Sequence, residues 1–219
     1  MGGAFDYQII LNQIPFLWKG MQLTFLLTLL AIVGGLLFGT ILALCRLSSF
    51  RALSFFGASY VNFFRSMPLI LVIFWFFFLV PYILGRPVGS FYSVLVAFVM
   101  FEAAYYCEII RAGIQSISKG QVYAGEAIGL TYWQNMRYVV LPQAFRNMIP
   151  ILLTQGIILF QDTSLVYVVG LKDFLVSADI VAMRDNRLIE MYVTVAAVYF
   201  VLCLTGSLSI RRLQRKYAL

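Results

Sequence analysis

Five apolar runs separated by short polar or basic breaks set the pattern of this chain. They cover residues 21–44, 69–84, 92–110, 149–169 and 191–210. Runs of this kind are long enough for membrane helices, which need roughly 20 residues to cross about 30 Å of hydrocarbon. Residues 1–18 are mixed, end in Pro15 and Trp18-Lys19, and are expected to lie at the interface before the first crossing. In the first run Gly35-x-x-x-Gly39 forms a small-residue face on which another helix can pack closely. Residues 52–64 are only semi-apolar and are placed along the cytoplasmic surface and into the start of the second span. Arg65-Ser66-Met67-Pro68 interrupts them before the continuous run 69–84. A polar stretch, 172–187, separates the last two spans.

The segment 120–142, GQVYAGEAIGLTYWQNMRYVVLP, lies between apolar runs but is too polar to span, with Glu126, Gln134, Asn135 and Arg137. It reads as two short helical pieces either side of a turn at Gly129, which can take a positive φ that other residues resist. Pro142 lacks the N–H needed inside a helix but suits a first turn. Ala124, Ala127, Ile128 and Leu130 offer a small apolar face, and Tyr123, Tyr132 and Trp133 add aromatic anchors. Such a hairpin between two membrane helices is built to receive force from a partner; a plain interfacial loop is the alternative.

Composition reinforces the membrane reading. The chain has 219 residues, 62% of them hydrophobic, and a mean hydropathy of +0.91. It reads as one transmembrane domain over 1–219, with no room for a separate catalytic module. The net charge of +7 does not imply nucleic acid, because the basic residues sit in the breaks between apolar runs. Eleven (Arg46, Arg51, Arg65, Arg111, Lys119, Arg137, Arg146, Arg211, Arg212, Arg215, Lys216) fall on one side of a five-span topology. Five (Lys19, Arg86, Lys172, Arg184, Arg187) fall on the other. Positive loops resist translocation, so the expected protein is all-α with five transmembrane helices, N-terminus out and C-terminus in. The segment 120–142 is then a cytoplasmic hairpin. Cys45, Cys107 and Cys203 have no paired spacing and histidine is absent, so neither a disulfide framework nor a metal site is expected. The start MGGAFDYQII lacks the basic region of a signal peptide, and Asp6 stands where a myristoylation signal wants Ser or Thr.

Candidate chemistry lies inside the spans. Glu102 is about 15 Å into its helix, where facing lipid would cost several kcal/mol, so it is expected to face the bundle interior, a partner subunit or a water-filled cavity. A hydrogen-bonded packing residue is the plainer reading. Glu108 and Arg111, three apart, suggest a local ion pair. Gln161-Asp162-Thr163-Ser164 is the densest polar cluster in any span, about 20 Å along the fourth run, and marks a candidate substrate path. Helix–helix hydrogen bonding by Thr163 and Ser164 is the alternative. With no histidine and no paired nucleophile and base, an intramembrane enzyme is disfavoured and no catalytic residue is assigned.

Segment 120–142 resembles the cytoplasmic EAA loop of ABC importer permeases. The pattern falls on Tyr123-Ala124-Gly125, Gly129 and Val139-Val140-Leu141-Pro142, with Tyr123 where the family has Glu and Gly125 where it has the second Ala. Arg65-Ser66-Met67-Pro68-Leu69, Glu108-Ile109-Ile110-Arg111-Ala112-Gly113-Ile114 and Asp162-Thr163-Ser164-Leu165 resemble signatures of the polar-amino-acid branch. Phe101-Glu102-Ala103-Ala104-Tyr105-Tyr106 with Leu159-Phe160-Gln161-Asp162 looks closest to glutamate/aspartate permeases. The resemblance implies a bacterial inner-membrane permease that pairs with the same or a related permease chain. It also implies an ABC ATPase dimer and a periplasmic or tethered solute-binding protein. Tyr123, Ala124, Gly125, Glu126, Ala127, Gly129, Leu130, Leu141 and Pro142 would form the ATPase-coupling surface. Glu102, Gln161, Asp162, Thr163 and Ser164 would line the substrate path. The chain has no G-x-x-x-x-G-K-[ST] loop, so ATP and Mg are expected on the partner ATPase, with no cofactor on this chain. A glutamine or basic amino-acid permease, and an ion-coupled carrier without an ATPase, are the alternative functions.

Overall fold

The computed structural model describes Phe5 and residues 7–217, the side chains of Lys216 and Tyr217 apart. The leader and myristoylation readings, which rest on residues 1–4 and Asp6, lie outside these. The described residues form helices and no strands. In order these are α1 (Tyr7–Leu47), α2 (Arg51–Arg65), α3 (Leu69–Leu84), α4 (Ser90–Gln115), α5 (Lys119–Ala127), α6 (Tyr132–Val169), α7 (Phe174–Asp185) and α8 (Leu188–Tyr217). Helices α1, α4, α6 and α8 are long and apolar enough to cross a membrane, and the broken pair α2 and α3 makes a fifth candidate span. The break falls on Ser66, Met67 and Pro68, because the residue before a proline is forced away from the α region.

Two sequence expectations are corrected. Residues 7–20 do not form a separate interfacial segment but are the first turns of α1, which runs 41 residues, about 62 Å, with Pro15 inside it. Packing of one face holds the helix through the proline: Leu17 and Met21 are buried in a cluster with Phe160, Phe174, Ala178, Val181, Met191 and Val195. The fourth span likewise starts well before residue 149. Its helix is continuous from Tyr132, with a π-turn over Met136–Val140 that leads directly into the α-helical stretch carrying Pro142 in its first turn.

The same device occurs in α3, where a π-turn over Trp75–Leu79 precedes Pro81. In both, the last turn closes by an i→i−5 bond, Val80 N–H to the Trp75 carbonyl and Leu141 N–H to the Met136 carbonyl. Proline cannot donate to the helical ladder and its ring crowds the carbonyl four residues back, and the wider turn accommodates both defects.

The chain forms two compact units, one of residues 1–32, 68–98 and 156–208, the other of 33–67, 99–155 and 209–219. The first is built on the cluster just described. In the second, α1 and α4 approach closely through the glycines picked out in the sequence. A Cβ on Gly39 would fall 2.9 Å from the Ala103 carbonyl oxygen, and one on Gly35 2.9 Å from the Glu102 Cβ.

Candidate coupling hairpin and substrate path

Helix α5 ends in a Schellman turn. Leu130 N–H donates to the Gly125 carbonyl at 3.1 Å and Gly129 N–H to the Glu126 carbonyl at 2.9 Å, with Gly129 at φ 85°. Thr131 then caps α6 in a reciprocal box: Gln134 N–H donates to Thr131 Oγ1, and Thr131 N–H donates to Gln134 Oε1 at 2.9 Å. Two helical pieces around a Gly129 turn, as the sequence predicts, are therefore held by backbone bonds at the end of α5 and by side-chain caps at the start of α6.

Asn135, counted in the sequence only among the polar residues that keep the segment from spanning, locks the hairpin from inside. It is 3% exposed, its Nδ2 donates to the Val122 carbonyl at 2.8 Å, and Gly125 lies against it. Gly125 is thus buried, Leu130 and Leu141 are half-buried, and Tyr123, Ala124, Glu126, Ala127, Gly129 and Pro142 are exposed. The aromatic and aliphatic residues around the turn stand out from the chain, Ile128 and Trp133 each 78% exposed. An exposed apolar surface on a braced, short-helix hairpin is what a partner protein can grip.

The polar cluster falls at a change of helix type. The α-helical part of α6 ends at Asp162, and Thr163–Val169 continue as a 3₁₀ stretch stopped by Gly170 in the left-handed region. Gln161 is exposed, Asp162 and Ser164 are half-buried, and Thr163 is fully enclosed, with its hydroxyl donating to the Phe160 carbonyl at 2.7 Å. Gln161 and Ser164 share a cleft of about 280 Å³ with Leu175, Val195 and Tyr199. Tyr199, another residue the sequence did not single out, is wedged against Phe160 and Phe174. Asp162 and Thr163 do not line this cleft, and the Thr163 hydroxyl is tied back to its own helix.

Glu102 belongs to the second unit and is completely buried. Gln155 Nε2 lies 3.2 Å from each of its carboxylate oxygens. It faces the interior of its own unit, as expected, among packed side chains. Glu108 is also more than half of a local pair. Arg111 contacts one carboxylate oxygen through Nη2, and Arg46, near the end of α1, holds the other. The Arg46 contact spans 62 residues and no local spacing announces it.

Similarity to known proteins decides the family. The profile of the binding-protein-dependent transport system inner membrane component matches residues 35–219. The chain belongs to this family. It is 50% identical over 221 residues to the glutamate/aspartate import permease GltK of Escherichia coli O6:H1, covering 98% of this chain and 99% of that one. The arginine transport system permease ArtQ of Bacillus subtilis is 33% identical, over 96% of each chain. A crystal structure of an amino acid ABC transporter with histidines shares the fold at a TM-score of 0.92 and 32% identity, over 98% of this chain and 100% of that one. This ABC importer permease is therefore a transport subunit and not an enzyme; its family implies an ATPase on a separate subunit and a solute-binding protein.

Proposed function

We propose that this permease carries glutamate and aspartate across a bacterial inner membrane, driven by ATP and Mg held on the partner ATPase. The observation that carries the reading is 50% identity to a glutamate/aspartate permease over essentially the whole of both chains. Residues 1–219 act as one permease domain with the N-terminus outside and the C-terminus inside. This orientation is supported by eleven basic residues on the inner side against five on the outer. Two permease chains, identical or related, pair with two ATPase subunits, and a periplasmic or surface-tethered binding protein delivers the amino acid.

The hairpin faces the cytoplasm and couples to the ATPase through Tyr123, Ala124, Glu126, Ala127 and the exposed turn at Gly129. Gly125, Leu130, Leu141 and Pro142 hold its shape. The amino acid passes Gln161, Asp162 and Ser164, while Thr163 braces the helix that carries them and Glu102 braces its own unit through Gln155. Each ligand shifts the balance between inward- and outward-open states only by its difference in affinity for them. Uptake by the reconstituted complex, with glutamate, aspartate, glutamine, arginine and histidine as competitors, tests the assignment. Glutamate and aspartate should compete and arginine should not. Uptake that persists without the ATPase and collapses with an uncoupler would replace this reading with an ion-coupled carrier.

A further inference from the structure

A second cleft of about 430 Å³ adjoins the one at Gln161 and Ser164 within the same compact unit. Tyr167, Leu175, Val176, Asp179, Met183 and Tyr192 line it, and Leu175 forms part of both walls. The two clefts are built side by side by the same three elements. Ser164 and Tyr167 are three apart in the 3₁₀ stretch, where side chains at i and i+3 eclipse. Tyr192, Val195 and Tyr199 fall at i, i+3 and i+7 on one face of α8.

The chemistry of the second cleft is specific. Asp179 is half-buried; its Oδ1 accepts a hydrogen bond from the Tyr192 hydroxyl at 2.7 Å, and its Oδ2 has no partner among the described residues. Tyr167 and Tyr192 supply two aromatic rings, and no cationic side chain lines the cleft. A carboxylate that shares a cleft with two phenol rings suits a primary ammonium, which gains a charge-assisted hydrogen bond and attraction to ring faces.

We propose that Asp179 and Tyr192 form a first station that holds the α-ammonium group of an amino acid before it passes Leu175 to Gln161 and Ser164. The inference rests on the proposed transport of amino acids and deepens it. Every α-amino acid carries this group, so the station selects the class of substrate and leaves the choice of side chain to other contacts.

The test is equilibrium binding of radiolabelled L-glutamate to the solubilised permease–ATPase complex without its binding protein. Asp179→Asn should weaken binding about tenfold and Tyr192→Phe about threefold, the sizes expected for loss of a charged and a neutral hydrogen-bond partner. N-acetyl-L-glutamate, whose nitrogen is a neutral amide, should bind the wild type about as weakly as L-glutamate binds Asp179→Asn. Methylamine should displace L-glutamate from the wild type. The thermal midpoint of each complex separates loss of the site from loss of the fold; if Asp179→Asn lowers it, the two wild-type competitors decide. Unchanged affinity in a stably folded Asp179→Asn, or equal binding of the acetylated compound, overturns the station and leaves the transport reading standing. A shift confined to the binding-protein concentration that half-maximally stimulates ATP hydrolysis also overturns it, since the cleft would then dock protein. Wild-type uptake indifferent to glutamate overturns the transport reading instead, and the same variants are then measured with the amino acid that is carried.

Discussion

Gly125 lies on α5 and Asn135 in the first turn of α6, and the space a side chain would take at the first is filled by the second. A Cβ on Gly125 would fall 2.4 Å from Asn135 Oδ1, so alanine there must displace Asn135 and its bond to the Val122 carbonyl. Gly125→Ala is expected to destabilise the hairpin by about 1–3 kcal/mol, the usual cost of overpacking. The thermal midpoint of the purified complex should fall, and adding Asn135→Ala should restore part of it. The permease pattern has Ala at this position; here the glycine is explained by its neighbour.

Asp173 offers a second test at the same scale. It lies outside the apolar spans, fully buried, and caps α7 by accepting the Val176 N–H at 2.8 Å. Burial raises its pKa from 3.8 to about 6, against the lowering effect of the backbone N–H groups. The folded state therefore holds this proton more tightly than the unfolded chain, and its contribution to stability is lost as pH rises from about 4 to about 6. Asp173→Asn keeps a good cap and removes the titration. Thermal midpoints measured across that range should slope less in the variant than in the wild type.

Among elements, the hairpin turn depends on one backbone conformation. Gly129 at φ 85° closes the Schellman bonds, and nothing stands near the place its Cβ would occupy. Gly129→Ala should therefore cost about 1–2 kcal/mol through backbone strain alone, with no steric clash. Limited proteolysis should find the variant cut faster between α5 and α6. This turn was legible because only glycine adopts it cheaply, and the spans were legible because bilayer thickness fixes their length. The π-turns were not, since neither leaves a mark in the hydrophobic period beyond a proline two residues on. Nor was the Arg46 contact to Glu108, which only the packing of α1 against α4 creates. Gln161 and Ser164 could be read as a polar break, but their cleft is completed by Leu175 and Tyr199 from the two helices that follow, which no local spacing announces.

For the molecule as a whole, the exposed hairpin surface is where the proposed coupling to the ATPase is tested without touching the fold. Ala127 is exposed on α5, so Ala127→Asp should leave the permease folded, at a cost of about 0.3–1 kcal/mol for an acid at a helix C-terminus. ATPase co-purification and ATP-driven uptake should both be lost. Retention of both would remove the hairpin from the coupling route.

The paired π-turns ahead of Pro81 and Pro142 also bear on how this chain tolerates indels. Each turn carries one residue more than a regular helix would need. Deleting a single codon within residues 75–79 or 136–140 should let the ladder return to ordinary phase, with the flanking faces still aligned and a proline kink between them. The same deletion in a straight stretch of α4 would turn everything beyond it by about 100°. Deletion scanning along the gene should find its tolerated gaps clustered at those two places.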